Sequence, residues 1–416
     1  MKFFLSLLFI YSFTFASDAT IEVIKQADTL PSIAVEDATY NYDETFKMQV
    51  FKALVADLNV LSVFNVDRHH RMADYDDRDV VIANKDQEYV LRFKMIEEDN
   101  SALLVQMKLF KSGTTVFSKN YKVNKKNLYV FVSHAIAYDI NEYMGKESVA
   151  WMKRKVVFSR IVAPRKSEIV IADYTLSYQH TIVSGGFNIF PKWATNKQDS
   201  FYYTALGEGK PTLKFLDIRN GKISNITASD GMMVCSDVSS DGQRLLLTMA
   251  RDGQPDIYTY NVISKRLTRE TFYSGIDVGG HFQKNDSIVF ISNRLGYPNV
   301  FSKRVGTKEV EQMVYYGKSN SACSAHGQYI VYKARESSNV FSKNSFNLHL
   351  ISTQTDFIRR LTATGINEFP EFSKDGDAII FIKNYKEQSS IGIIRLNYNK
   401  NYLFPLKYGR LQSLDW

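Results

Sequence analysis

A module of about 44 residues recurs from position 187 onward, and no other feature limits the fold so tightly. Each copy opens on a large or apolar residue, turns at a polar Asp or Gly site and runs into a strand. Phe190 to Trp193 precedes a turn at Asn196 to Asp199 and a strand at Ser200 to Thr204. Cys235 to Val238 precedes Ser240-Asp241-Gly242 and Arg244 to Thr248. His281-Phe282, Ala322-Cys323 and Phe369 to Phe372 open three further copies, so Trp193, Val238, Phe282, Cys323 and Phe372 set the register. A third, alternating strand follows, as in Asp256 to Asn261, and a tight turn such as Asn220-Gly221 leads to a fourth. Four short strands at this period predict β-propeller blades, which must stack around an axis to bury both faces.

Residues 155–186 hold three strands of such a unit but no opening strand. The chain supplies one in excess: Gln412 to Trp416 matches Phe190 to Trp193, and Trp416 falls 44 residues after Phe372. The C-terminal strand is therefore expected to complete the first blade and close a six-bladed ring, with Leu411, Leu414 and Trp416 in the core. An exposed Trp416 would forgo about 2–3 kcal/mol, and an open ring would bare two sheet edges.

The front of the chain reads differently. Lys2 precedes the apolar run Phe3 to Phe15, and Thr14-Phe15-Ala16 forms a small-residue cleavage site, so 1–16 reads as a signal peptide and the mature protein as exported and soluble. Ser17, not a Cys, stands directly after that site, which argues against lipid attachment. Residues 17–29 are expected to form a strand or an N-terminal arm. An α/β domain over 30–148 is expected from a helix at Asp43 to Leu58, a hairpin at Glu88 to Glu97 and Ala102 to Phe110 around Asp99-Asn100, a strand at Val116 to Val123, and a helix at Asn127 to Tyr143. The propeller spans 150–416. Asp18 to Ala150 carries 16 Lys and Arg against 21 Asp and Glu, whereas Trp151 onward carries 35 against 23. An acidic front and a basic back fit separate domains and an acidic partner for the second. Export and the scatter of basic residues disfavour nucleic acid. Cys235 and Cys323 fall in different repeats and are expected to stay free in the core.

Catalytic patterns are weak. Asp67, His69 and His70 with Asp74, Asp76 and Asp77 lack metal-ligand spacing and read as a solvated charged loop, so neither metal nor cofactor is implied. No G-x-S-x-G elbow exists. Ser239-Ser240-Asp241-Gly242 departs from the sialidase box, its Asp-Gly pair serving a hairpin turn. A propeller enzyme or glycan-binding module, the rival reading, would need convergent acids at the channel mouth, and only Asp277 and Glu368 stand out.

With blades, leader and α/β front together, the chain resembles the TolB family, periplasmic propellers of the Tol-Pal system. The likeness is closest at Tyr121 to Lys125, Val156 to Arg160 and the S-x-D-G turns at 239–242 and 373–376. The resemblance implies a non-catalytic adaptor, monomeric and peripheral to the membrane, that serves outer-membrane integrity and cell division. It implies binding of Pal, the peptidoglycan-associated lipoprotein, and of other outer-membrane lipoproteins at the channel mouth, through loops carrying Met232, Cys235, Asp277, Val278, Gly279, Asn320 and Glu368. It also implies that the arm, with Asp18, Ile21, Glu22, Val23 and Ile24, engages TolA. Met232 and Val278-Gly279 stand where many relatives carry His and Thr-Glu.

Overall fold

The computed structural model describes residues 30–416 apart from 99–101, 208, 252, 285, 318, 337–344 and 356. The expected leader, the arm with Asp18, Ile21, Glu22, Val23 and Ile24, and the Asp99-Asn100 turn lie outside the described residues.

The front half is a sheet covered by two helices. In chain order come β1 (Ser32–Asp37), α1 (Glu44–Leu61), β2 (Asn65–Val66), β3 (Arg71–Met72), β4 (Tyr89–Glu98), β5 (Ala102–Lys111), β6 (Thr114–Val123) and α2 (Tyr129–Tyr143). Asp43 caps α1 by accepting from Phe46 N at 2.7 Å, and Ser62, in the left-handed region, ends it. The sheet order is β2-β1-β4-β5-β6, with β3 also pairing β1; β1 runs parallel to β4, and β4 to β6 form a meander. Sequence reading placed no firm element before α1, yet β1 is a central buried strand. Its charged end, Glu36 and Asp37, disguised it. Both are wholly buried, and Glu36 is matched there by Arg92 Nε at 2.8 Å and Asn84 Nδ2 at 2.8 Å. The second helix also differs from expectation. It starts at Tyr129 after a 3₁₀ turn and buries Ser133, His134 and Asn141, while Tyr143 is exposed.

From Val156 onward the chain forms four-stranded antiparallel sheets, the blades of a β-propeller. One consists of Phe187–Trp193, Ser200–Leu206, Thr212–Asp217 and Lys222–Ala228. The sheets opening with Asn320–His326 and Ile366–Phe372 are joined by a single parallel pair, Phe346 opposite Ile366. The strands Val156–Ala163, Lys166–Ala172 and Gln179–Val183 take Arg410–Asp415 as their fourth member. It lies antiparallel to Val156–Ala163, with Leu414 opposite Phe158. Leu411, Leu414 and Trp416 are buried.

Each inner strand is bulged, for example between Ile189 and Lys192 and between Glu368 and Glu371. The bulge fixes the register and corrects one sequence assignment. Trp193 faces Phe201, Val238 faces Leu245, Phe282 faces Ile288 and Phe372 faces Ile379. In the remaining blade Ala325, opposite Ile330, holds that place, whereas Cys323 faces Tyr332 two residues earlier. A small alanine there left the sequence pattern without its large marker.

The two halves share one apolar core, in which Trp151, Trp416, Phe158 and Ile380 join Leu58 and Ile136. Polar contacts reinforce it. Arg395, 1% exposed, donates from Nη1 to Leu61 O at 3.0 Å and satisfies the open carbonyl end of α1. Tyr402 Oη donates to Asn59 O at 2.8 Å. His134 is wholly buried between the carboxylates of Asp57, on α1, and Asp173, beside the first blade.

Candidate functional site

The residue just before each register position points into the channel. These are Lys192, Asp237, His281, Ser324, Glu371 and Asp415, and they form one axial layer. Lys192 Nζ lies 2.9 Å from Glu371, 3.0 Å from Asp415 and 4.0 Å from Asp237, and His281 lies 3.8 Å from Glu371. Burial works against the ammonium, but Asp415, Glu371 and Asp237 outweigh it and hold the Lys192 pKa well above the usual value. Burial raises the Glu371 pKa. The layer also staples neighbouring blades: Asp415 accepts from Trp193 N at 2.7 Å, and Asp237 from Phe282 N at 2.8 Å. The signal was present in the sequence as a charge beside the register residue, and sequence reasoning missed it.

Lys192, His281 and Glu371 line two cavities, one on either side of this layer. The first is a funnel of about 200 Å³, walled by Phe190, Met232, Cys235, Val278, Cys323, Phe369 and Leu414. Its rim is conformationally strained. Phe190, Ala322 and Phe369 adopt φ of 54°, 49° and 50°, and Gly279 takes the same region at 64°. A bulky residue there costs on the order of 1–3 kcal/mol, a cost that concentrates at functional sites. The rings of Phe190 and Phe369 lie 6.2 Å apart.

The predicted docking residues divide. Met232, 48% exposed, and Val278, Gly279 and Cys235 come together in the funnel. Asp277 and Asn320 do not: both are wholly buried. Asp277 pairs with Arg294 at 3.2 Å, and Asn320 Nδ2 donates to Tyr316 O at 2.7 Å. Glu368 is held by Lys333 at 3.1 Å and stands off the funnel wall. These positions were expected in loops. Instead they sit within the inner strands, and only Met232 precedes one. The Asp277 and Asn320 side chains are thereby committed to the fold. Cys235 and Cys323 are free and buried, and burial pushes both thiols up.

The histidine-rich loop is knitted by ion pairs. Asp67 lies 2.6 Å from both His69 and Arg71, and His70 lies 3.1 Å from Asp37. Against the effect of burial, hydrogen bonds from the His69 backbone and Arg71 hold the Asp67 carboxyl at about 2. Among the described residues no set of three metal-type ligands converges, and no helix is long and apolar enough to cross a membrane.

The fold defines the class, a β-propeller preceded by a small α/β domain, with an apolar funnel on one side of the axial layer. Comparison places the chain within that class. A family model described as the TolB beta propeller domain matches residues 146–416. The chain is 47% identical over 413 residues to the Tol-Pal system protein TolB of Wolinella succinogenes, covering 97% of each. It is 40% identical over 403 residues to that of Campylobacter jejuni, covering 96% of each. The crystal structure of TolB from Acinetobacter baumannii superposes with a TM-score of 0.74 at 17% identity, over 92% of this chain and 96% of that one, a likeness of fold. The chain belongs to the TolB family of Tol-Pal system proteins.

Proposed function

We propose that the chain is a non-catalytic periplasmic adaptor of the Tol-Pal system. In this reading 1–16 is a signal peptide, 17–29 an arm for TolA, 30–148 the α/β domain and 150–416 a six-bladed ring closed by its last strand. The funnel receives Pal, the peptidoglycan-associated lipoprotein, and through that link the protein supports outer-membrane integrity and constriction at division. The observation that carries the reading is the funnel itself: strained Phe190 and Phe369 with their rings tilted 53° to each other above a charged floor, and Met232 exposed at the rim. Such a rigid apolar concavity with few polar groups suits a protruding partner segment. The pairing of Arg410–Asp415 with Val156–Ala163 supports the closed ring.

The test is a binding titration of the mature protein against the soluble part of its own Pal lipoprotein, with Met232→Glu and Val278→Asp as variants. Saturable binding lost in both variants is expected. Equal binding by wild type and variants removes the funnel from the reading.

A further inference from the structure

A third cavity, about 510 Å³, lies where the chain leaving Leu267–Arg269 meets the blade that holds Asn299–Arg304. It shares no wall residue with the funnel. Its charged groups are three cations, Arg294, Lys303 and Lys308, and one carboxylate, Glu270, while Phe272 and Tyr273 bring two aromatic rings.

The two inner cations are built into the wall, and neither is fully used. The Lys303 side chain is 2% exposed, and its Nζ donates to Glu270 O. Among the described residues that ammonium has no second acceptor, because the Glu270 carboxylate stays 4.0 Å away. The carboxylate accepts instead from Thr259 Oγ1 at 2.8 Å and from Gly306 N at 2.9 Å. Arg294 is fixed among three rings, its guanidinium 4.9 Å from the centre of Phe301, 5.3 Å from Tyr273 and 5.5 Å from Phe290. Its Nη2 donates to Asp277 at 3.2 Å and its Nε to Ser292 Oγ at 2.9 Å, so Nη1 is left without a partner among the described residues. Burial lowers the Lys303 pKa, Arg294 adds to the lowering, and Glu270 and Asp277 offset it only in part. A buried ammonium with two unmade hydrogen bonds, beside a guanidinium free along one edge, is costly, and a single oxyanion serves both. Phe272 is 67% exposed and offers a ring face next to these donors. Lys308, exposed and free of ion pairs among the described residues, stands at the rim.

We propose that this cavity binds an acidic saccharide, its carboxylate or phosphate on Arg294 and Lys303 and its ring against Phe272 and Tyr273, with Lys308 at the rim. The cations account for the acidic group and the exposed ring for the apolar face of a sugar. The volume suits a small molecule rather than a folded partner.

Calorimetric titration of the full mature chain with glucose 1-phosphate and, separately, with glucuronate tests the site and tells phosphate from carboxylate. One-to-one saturable binding of at least one of them is expected, with glucose and inorganic phosphate each about tenfold weaker or more. Lys308→Glu and Phe272→Ser, both exposed substitutions that leave the fold intact, should each weaken binding by a similar factor. Met232→Glu, in the funnel, should bind like wild type. Absence of saturable binding of both acidic sugars to the unaltered chain overturns the proposal. So does binding that either cavity variant leaves undiminished, or inorganic phosphate binding as tightly as glucose 1-phosphate.

Discussion

The indole of Trp416 packs against that of Trp151, ring centroids 5.5 Å apart, while Trp416 Nε1 donates to Phe372 O at 3.0 Å. One side chain thus touches the segment leading into the first blade and the strand opening a blade beside it. Trp416→Ala removes both contacts and leaves a void beneath the α/β domain. A loss of about 3–5 kcal/mol is expected, read as a lower urea midpoint by intrinsic fluorescence and circular dichroism together.

His134 gives the interface a pH dependence. Burial opposes its charge, but Asp57 at 2.9 Å and Asp173 at 3.3 Å outweigh that and raise its pKa to about 9. Because the folded value lies above the ordinary one, its stabilisation is complete below about pH 6.5 and is lost as pH rises through 9. Wild type should lose on the order of 3 kcal/mol between those limits through this group. His134→Gln should flatten that part of the stability curve, measured by urea unfolding from pH 6 to 10.

Lys192 is the ammonium that the three axial carboxylates share. Lys192→Met leaves Asp237, Glu371 and Asp415 facing one another and should cost about 3–5 kcal/mol. A smaller loss at acid pH than at pH 8 is the accompanying sign, since protonation relieves the repulsion. Equal losses at both would disprove the pairing.

Two of the positions expected at the docking face should behave oppositely. Asp277→Ala breaks a buried pair with Arg294 and should lower thermal stability by several kcal/mol while leaving lipoprotein affinity intact in the folded fraction. Met232→Glu should leave the melting temperature unchanged and weaken that affinity at least tenfold.

The repeat made the propeller legible, because a period near 44 with a large residue at each step has few structural solutions. Where the marker is small, as at Ala325, the register slid by two residues. Strand Ser32–Asp37 escaped notice because its two acids are solvated in sequence logic and buried in fact, the partners of Glu36 lying far along the chain. The mouth was placed by topology, which put Met232, Cys235, Val278 and Gly279 around one cavity. Side-chain direction came only from the bulges, so Met232 and Val278 proved open while Asp277 and Asn320 proved closed. The charged layer was visible as Lys192, Glu371 and Asp415, each one residue ahead of its aromatic neighbour, but three dimensions were needed to bring them within 3.0 Å.

The Lys192 layer is a partition: two cavities meet it and share Lys192, His281 and Glu371 as a common wall. A partner seated in the funnel would be felt at the far cavity through the strands that carry this shared wall.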